Sequence, residues 1–542
     1  MNIYAGIDIG GTFTDYVALA DTKLLLGGKL PNKDNYLDSF VQSLEKILEN
    51  VTSAHIKRLV ISTTFITNFI TAKKYTFPEC IILPGPGIKP DSLHIPQHYK
   101  ALDATMDFRG REIKSFTQAD RDKLRAIKSR GCAIVGKFSG RNPRHEIEVG
   151  HYLSSYKYTG KLYYGHECSG ELGFPRRVNT TLFYAATQVV FNDFCKDIKQ
   201  VLQTYGLLNK AYFLKSNGAI AKITDENINP VETVFSGPVG SVLGAKALTS
   251  LESFLTIDIG GTTTDFAIVL NNKPLYAERG ISIDGYPTAV SAFAVYSCPL
   301  GGDSPIDCHT GRLLSKRLGP AVAFGGKEPT LTDALNVIGL TKAGNYLASQ
   351  NRLILKIAQL AVNHALDILS TELTRILGSW KSEPAYHIWE MKLTNKYIPS
   401  HILGLGGGAQ GLTEELAKKL GMQAHLVKNH EIANAIGTAL AKPTVTASFY
   451  VDTAQKKFVY IEKGTILPAL PSNIDQLMDM AHTLAKENYN SLYNIGQLED
   501  FRQEIVVTRK EQFNVVRGFS TSGKIMDAQV LIPADVIFKV VS

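Results

Sequence analysis

A chain of 542 residues, 44% hydrophobic and 20% charged, is too long for one hydrophobic core, and its composition fits a soluble globular protein of two or more domains. Its formal charge of +8 arises from scattered basic pairs such as Lys73-Lys74, Arg176-Arg177 and Lys418-Lys419, which excludes a nucleic-acid tract and leaves a mild positive field suited to small anions. Six cysteines with no Cys-x-x-Cys pair exclude a disulfide scaffold; Cys298 and Cys308 stand too isolated for a zinc site, and the thiols are expected to be mostly buried, in a reducing compartment.

Met1 to Asp8 reads as a first strand, because it carries neither the basic start nor the apolar stretch of a secretion signal. With no apolar run of about 18 residues anywhere, a cytoplasmic protein without a membrane span is expected. The run Ile7-Asp8-Ile9-Gly10-Gly11-Thr12-Phe13-Thr14-Asp15 then leads into Tyr16-Val17-Ala18-Leu19. Apolar strand, glycine turn, apolar strand is a β-hairpin. Ser62-Thr63-Thr64-Phe65-Ile66-Thr67-Asn68 is a polar cluster. Thr63, Thr64 and Asn68 suit hydrogen bonding to a neutral, amide-rich ring; the alternative is that Ser62 or Thr63 caps a helix. His166-Glu167-Cys168 is not read as a metal site, because three adjacent side chains point in different directions. Apolar spacing predicts a helix from Phe183 to Leu202.

The hairpin then returns as Ile257-Asp258-Ile259-Gly260-Gly261-Thr262-Thr263-Thr264-Asp265, with one of nine positions changed and 250 residues between Asp8 and Asp258. That spacing is too long for a solenoid and fits two domains of similar fold, each opening with the same hairpin. In the loop Gly301-Gly302-Asp303-Ser304, Asp303 and Ser304 either face a cleft or belong to a plain loop. A second long amphipathic helix is predicted from Leu353 to Leu377. Gly404, Gly406, Gly407 and Gly408 follow a short apolar run and precede a helix over Thr413 to Leu420, stopped by Gly421. Strand, glycine loop, helix is either an ordinary turn or a place where a ligand lies against backbone. Beyond residue 445, alternation as in Lys457-Phe458-Val459-Tyr460-Ile461-Glu462, with a helical piece at Ile474 to Asn488, predicts a small α/β appendage.

The repeated turn has specific chemistry. Glycines leave no Cβ between backbone N–H groups and an anion, so successive amides can line a phosphate-binding nest. Gly10, Gly11, Thr12 and Thr14 in one copy, and Gly260, Gly261, Thr262 and Thr263 in the other, are the candidate polyphosphate contacts. Gly406, Gly407 and Gly408 are the third group. Asp8 and Asp258 are anionic, as phosphate is, and so are assigned to Mg2+ and its waters as metal ligands and catalytic residues. Asp15 and Asp265 either join them or orient the turns by hydrogen bonding.

In this order the pieces resemble the actin/Hsp70/sugar-kinase superfamily. Asp8 to Asp15 and Asp258 to Asp265 match its two phosphate loops, Gly404 to Gly408 its adenosine loop, and Ser236 to Ala245 and Asn434 to Ala441 its two connecting helices. Narrower segments resemble the hydantoinase/oxoprolinase A-type family: Gly10 to Asp15, Ser62 to Asn68, Ser236-Gly237-Pro238, Gly260 to Asp265 and Pro329-Thr330-Leu331-Thr332-Asp333-Ala334. The resemblance covers roughly residues 3 to 445. Ile61-Ser62 stands in place of the family's His-Gly, and Gly301 to Ser304 in place of a glycine run ending in serine.

The resemblance implies an α/β fold with two related actin/ribonuclease-H-like domains around an ATP cleft. Domains are expected at residues 1–180 (first phosphate loop), 181–445 (second phosphate loop and adenosine loop) and 446–542 (appendage). It implies ATP and Mg2+ as cofactors and an ATP-dependent opening of a cyclic amide such as a hydantoin or an oxoproline-like lactam. Thr63, Thr64, Asn68, Asp303 and Ser304 are then the substrate residues, and a B-type hydantoinase subunit or a second copy the macromolecular partner. The rivals are a small-molecule kinase, with Asp303 as its base, and a non-catalytic ATP-gated binding protein.

Overall fold

In this computed structural model, which describes residues 2–32, 35–127, 129–156, 158–277, 279–314, 316–382, 398–493 and 505–541, the chain opens as β1 (Ile3–Ile9), β2 (Phe13–Ala20) and β3 (Lys23–Pro31). Strand periodicity decides what β1 does with its side chains. Ile3, Ala5, Ile7 and Ile9 enter one hydrophobic core. Gly6, on the other face, lies against the backbone of Ala435 and Ala439, and a Cβ there would collide with it. Asp8 shares that face.

Helix α1 (Tyr36–Leu48) leads to β4 (Ile56–Thr63), parallel to β1, and to α2 (Phe65–Thr71). An insertion follows with its own four-stranded sheet, built from Glu79–Leu83, Tyr99–Ala101, Gly131–Gly136 and Lys161–Tyr164. The first long helix, α3, spans Phe174–Thr204. It starts earlier than apolar spacing indicates because Pro175 occupies its first turn, where a missing N–H is no loss. Strands β5 (Ala211–Leu214) and β6 (Ile220–Lys222) then complete the first sheet, in the order β6-β5-β4-β1-β2-β3.

Helix α4 (Ser236–Leu248) carries the chain into the second sheet. Its members are β7 (Phe254–Ile259), β8 (Thr264–Leu270), β9 (Lys273–Pro274) and β10 (Val295–Cys298). After α5 (Leu331–Val337) and α6 (Leu355–Ser382) come β11 (His401–Leu405), α7 (Ala409–Leu420) and β12 (Gln423–Leu426). The order is β9-β8-β7-β11-β12, with β10 also paired to β8. Gly421, at φ +67°, ends α7 in the left-handed conformation that glycine adopts without strain. Helix α8 (Ala433–Leu440) returns to the first half.

Helices α4 and α8 meet backbone to backbone. A Cβ on Gly240 would lie 2.7 Å from Thr438 Oγ1, and one on Gly244 or Gly437 would collide with main-chain atoms of the other helix.

The remaining elements are β13 (Val445–Asp452), β14 (Lys457–Tyr460), β15 (Thr465–Ile466), α9 (Ile474–Tyr493), β16 (Val506–Arg517) and β17 (Ser520–Ile532). Their sheet runs β15-β14-β13-β17-β16. Ala447, Phe449, Leu477 and Met526 share one core with Phe254, Leu403 and Leu243, so this unit is built into the second half. Two buried pairs also tie it to the insertion: Arg109 holds Asp452 through two bonds of 2.6 and 2.7 Å, and Arg141 bonds Asp527 at 2.8 Å. Among the described residues, no helix is long and apolar enough to cross a membrane.

Candidate functional site

The two hairpins fold to one register. Asp8 stands opposite Asp15 and Ile9 opposite Thr14; Asp258 stands opposite Asp265 and Ile259 opposite Thr264. The same bond closes each turn, from Gly10 N to Phe13 O at 3.1 Å and from Gly260 N to Thr263 O at 2.9 Å. The turns approach each other: a Cβ on Gly261 would lie 3.7 Å from Thr12 Oγ1. Gly11 and Thr262 are exposed, and Gly10, Thr12, Gly260, Gly261 and Thr263 half-buried, so amides and hydroxyls of both turns border one space. Thr14 is turned away from it. Its hydroxyl is buried and donates to Asn32 Oδ1 at 2.7 Å, while Asn32 Nδ2 donates to Gly10 O at 2.7 Å. Asn32 braces the first turn from behind; it lies outside the repeat, so no sequence signal marks it.

Each leading carboxylate is held by a connecting helix. Asp8 accepts from Ser62 Oγ at 2.6 Å and from Asn434 Nδ2, on α8, at 2.7 Å. Asp258 accepts from Ser241 Oγ on α4. Gly237, in the first turn of α4, would place a Cβ 3.5 Å from Asp8 Oδ1. Ser62 is the departure from the family pattern, and here it has a definite job on Asp8.

Burial disfavours the charge on all four aspartates. Asp8 is pushed up to about 6, first by burial and then by Asp15, against the pull of Ser62, Lys29 and Asn434. Burial raises Asp15 against Lys29, whose Nζ lies 2.6 Å from Asp15 Oδ1. Burial raises Asp258 too, and pushes Asp265 up to about 7. A cluster of buried (Asp8, Asp15) and half-buried (Asp258, Asp265) carboxylates short of positive charge, beside glycine turns open to an anion, has the donor set of a hard divalent cation that carries phosphate oxygens.

The third glycine group borders the same place. Gly406, at φ +81°, lies so close to Asp258 Oδ1 that a Cβ would collide with it. Gly408 N donates to Ile259 O at 3.0 Å, and Gly407 is exposed with open space before it. The loop of Gly301 to Ser304 is laid along the second turn: Gly302 N donates to Gly260 O at 2.9 Å and Asp303 N to Gly261 O at 2.7 Å. Asp303 is buried and paired with Arg317 Nη2 at 2.6 Å. Ser304 points inward, its Oγ accepting Gly301 N at 3.0 Å.

Thr63, Thr64 and Asn68 part company. Thr63 is buried and accepts Phe65 N at 3.1 Å, which starts α2. Thr64 Oγ1 donates to Ile9 O at 3.3 Å and accepts Asn68 Nδ2 at 3.1 Å. Asn68 is exposed, with its Nδ2 3.7 Å from a Cβ on Gly11. Elsewhere, His166 Nδ1 is 2.5 Å from buried Glu146. Glu112, His145 and Glu148 gather ligand atoms within 4.8 Å, but Arg144 already pairs with both carboxylates at 3.4 and 2.7 Å.

Two family models match the chain, one described as hydantoinase/oxoprolinase over residues 177–447 and one as the hydantoinase/oxoprolinase N-terminal region over residues 4–156. An uncharacterised protein of Methanocaldococcus jannaschii is 24% identical over 391 residues, 62% of this chain and 57% of that protein. Caprolactamase subunit alpha of Pseudomonas jessenii is 22% identical over 333 residues, 56% of this chain and 46% of that protein. The chain thus spans about half the length of these curated relatives. The crystal structure of ATP-dependent caprolactamase from Pseudomonas jessenii superposes with a TM-score of 0.68 at 16% identity, covering 97% of this chain and 87% of that one, and so shares its fold.

Proposed function

The chain belongs to the hydantoinase/oxoprolinase family, and on that premise we propose that it is an ATP-dependent enzyme that opens a cyclic amide, a hydantoin or an oxoproline-like lactam. One observation carries the reading: two copies of Asp-x-Gly-Gly-Thr in identical register, tip to tip, each with its first aspartate tied to a connecting helix. A single glycine turn needs no such partner; a polyphosphate gripped from both sides does.

In this proposal the amides of Gly11 and Gly261 and the hydroxyls of Thr12, Thr262 and Thr263 bind phosphate, while Gly10 and Gly260, expected as further contacts, spend their amides on closing their own turns. Gly406 to Gly408 line the nucleoside end. Asp8 and Asp258 would hold Mg2+ or its waters, and the metal would supply the positive charge these carboxylates lack. Thr14 braces the first turn from behind. Thr64 and Asn68 at the mouth orient the ring; Thr63 and Ser304, turned inward, support the walls. When bound, Mg-ATP supplies a phosphoryl group that turns an amide oxygen, a poor leaving group, into a good one. The chain's part is to position the amide and offset developing charge. We assign residues 1–180 and 181–445 to the two halves and 446–542 to the appended unit, with a B-type subunit or a second copy as partner. The cytoplasm is the proposed compartment.

The test is ATP hydrolysis across a panel of lactams, hydantoins and polyols, with product analysis and with any B-type partner added. Ring-opened product formed in step with ADP is expected. A phosphorylated polyol would mark a kinase, and nucleotide binding without turnover on any compound would mark an ATP-gated binding protein.

A further inference from the structure

Asp303 brings a further negative charge right to the tip of the second glycine turn, where the turns are open to an anion. The loop that bears it is pressed onto the second turn, so that a Cβ on Gly301 would lie 2.6 Å from Gly261 O. A Cβ on Gly261 would lie 2.9 Å from Asp303 Oδ2 and 3.7 Å from Thr12 Oγ1. A single point is therefore flanked by the first turn, the second turn and a carboxylate. Left alone, that carboxylate would repel phosphate.

Arg317 neutralises it in a particular way. Nη2 and Nε, 2.6 and 3.1 Å away, both donate to the one oxygen Oδ2. A guanidinium presents five N–H donors in a fixed fork. Two suffice for Asp303, and the side chain is 37% exposed, so donors remain for a second anion while the first is still held. A second cation near the site is engaged with both oxygens of its own partner. Lys29 lies 2.6 and 2.7 Å from the two oxygens of Asp15, on a strand fixed in the sheet, where it offsets that aspartate. Arg317 lies in a segment without helix or strand.

The position also selects which phosphate is met. Gly406 and Gly408 contact Asp258 and Ile259 at the end of β7, whereas Asp303 contacts Gly261 at the tip of the turn. A nucleotide with its nucleoside at the glycine loop extends its last phosphate toward the tip. Building on the nucleotide reading above, we propose that Arg317, positioned by Asp303, recognises the terminal phosphate of a nucleoside triphosphate and so distinguishes it from the diphosphate.

The test is calorimetric binding of Mg-ADP and of a non-hydrolysable ATP analogue to the full chain, as parent, Arg317→Ala, Arg317→Lys and Asp303→Asn. Removing a hydrogen bond to a charged group should weaken the analogue on the order of tenfold to a hundredfold in Arg317→Ala, with ADP within about threefold. Arg317→Lys should fall between, because a compact ammonium keeps a cation on Asp303 without bridging to phosphate. Asp303→Asn should lose part of the preference for the triphosphate. An Arg317→Ala chain that binds both nucleotides like the parent, or loses both equally, overturns the assignment while nucleotide binding by the parent stands. A parent that binds neither nucleotide overturns the nucleotide reading as well.

Discussion

At the same place in the strand beside each returning strand, one hairpin has a lysine and the other a serine: Lys29 stands opposite Asp15, and Ser297 opposite Asp265. The hairpin registers agree, yet the first inner aspartate has a cation at 2.6 Å and the second a hydroxyl partner, Ser297, with no cation paired to it among the described residues. The repeat is confined to the hairpin, and the neighbouring strands are not part of it. The two halves therefore share the turn geometry that an anion needs and differ in the electrostatics beside it. The second inner aspartate lacks the lysine that the first has, and the second half is where Arg317 lies.

The sharpest way to break this contrast uses the equivalent glycines. Gly261 has Asp303 at 2.9 Å and Thr12 at 3.7 Å from a Cβ, whereas Gly11 has only Asn68 Nδ2 at 3.7 Å. Gly261→Val should lower nucleotide affinity by about three orders of magnitude, roughly 4 kcal/mol, with Gly11→Val well below that. Calorimetry on folded variants decides; equal losses would mean that the two turns carry equal weight.

A smaller effect is expected from the leading carboxylates. Asp8→Asn and Asp258→Asn should each keep nucleotide affinity within about tenfold. Each should lose on the order of a hundredfold in turnover, about 2.7 kcal/mol, because the metal they hold offsets charge that grows during transfer. Steady-state ATP hydrolysis beside binding measures both. Parent-like rates in both variants would make these carboxylates structural.

The smallest effect sharpens the comparison of the inner aspartates. Asp265, raised to about 7 from 3.8, binds its proton more tightly folded than unfolded. Its contribution to stability is fully present below about pH 4 and is lost as pH rises through 7. Asp265→Asn should remove that loss, stabilising the chain at pH 8 relative to pH 5 by about 1–2 kcal/mol once solvent access is allowed for. Asp15→Asn should give no such relief, because it strands Lys29. Urea melts at the two pH values test this, and identical pH slopes in the parent and Asp265→Asn would refute it.

How much of this was legible in the residues follows the range of the interactions involved. The hairpins, the glycine loop and the long helices are local patterns that apolar period with glycine punctuation locates, although α3 begins nine residues before its expected start at Phe183. Asn32, Lys29 and Arg317 act across distances the chain closes only on folding, and none sits in a motif; Ser241 and Asn434 lie in the segments matched to connecting helices, but only the fold shows that they hold Asp258 and Asp8. The same holds for Ala211 to Lys222, which join the first sheet beside β4, and for Arg109 with Asp452, partners 343 positions apart. Thr14 shows the converse: the repeat includes its hydroxyl, but only the fold reveals that it faces Asn32.

The contact of α4 with α8 has a thermodynamic consequence of its own. Where Gly244 and Gly437 meet the facing helix, main chain touches main chain, so few rotamers freeze or release if the halves shift against each other there. Little apolar surface changes its hydration at that point, and the local heat-capacity change is correspondingly small. At that crossing the two halves are therefore held by contact of main chain alone, and the free energy of any shift between them comes from elsewhere: the shared core, the buried arginine–aspartate pairs and the space where the two glycine turns meet.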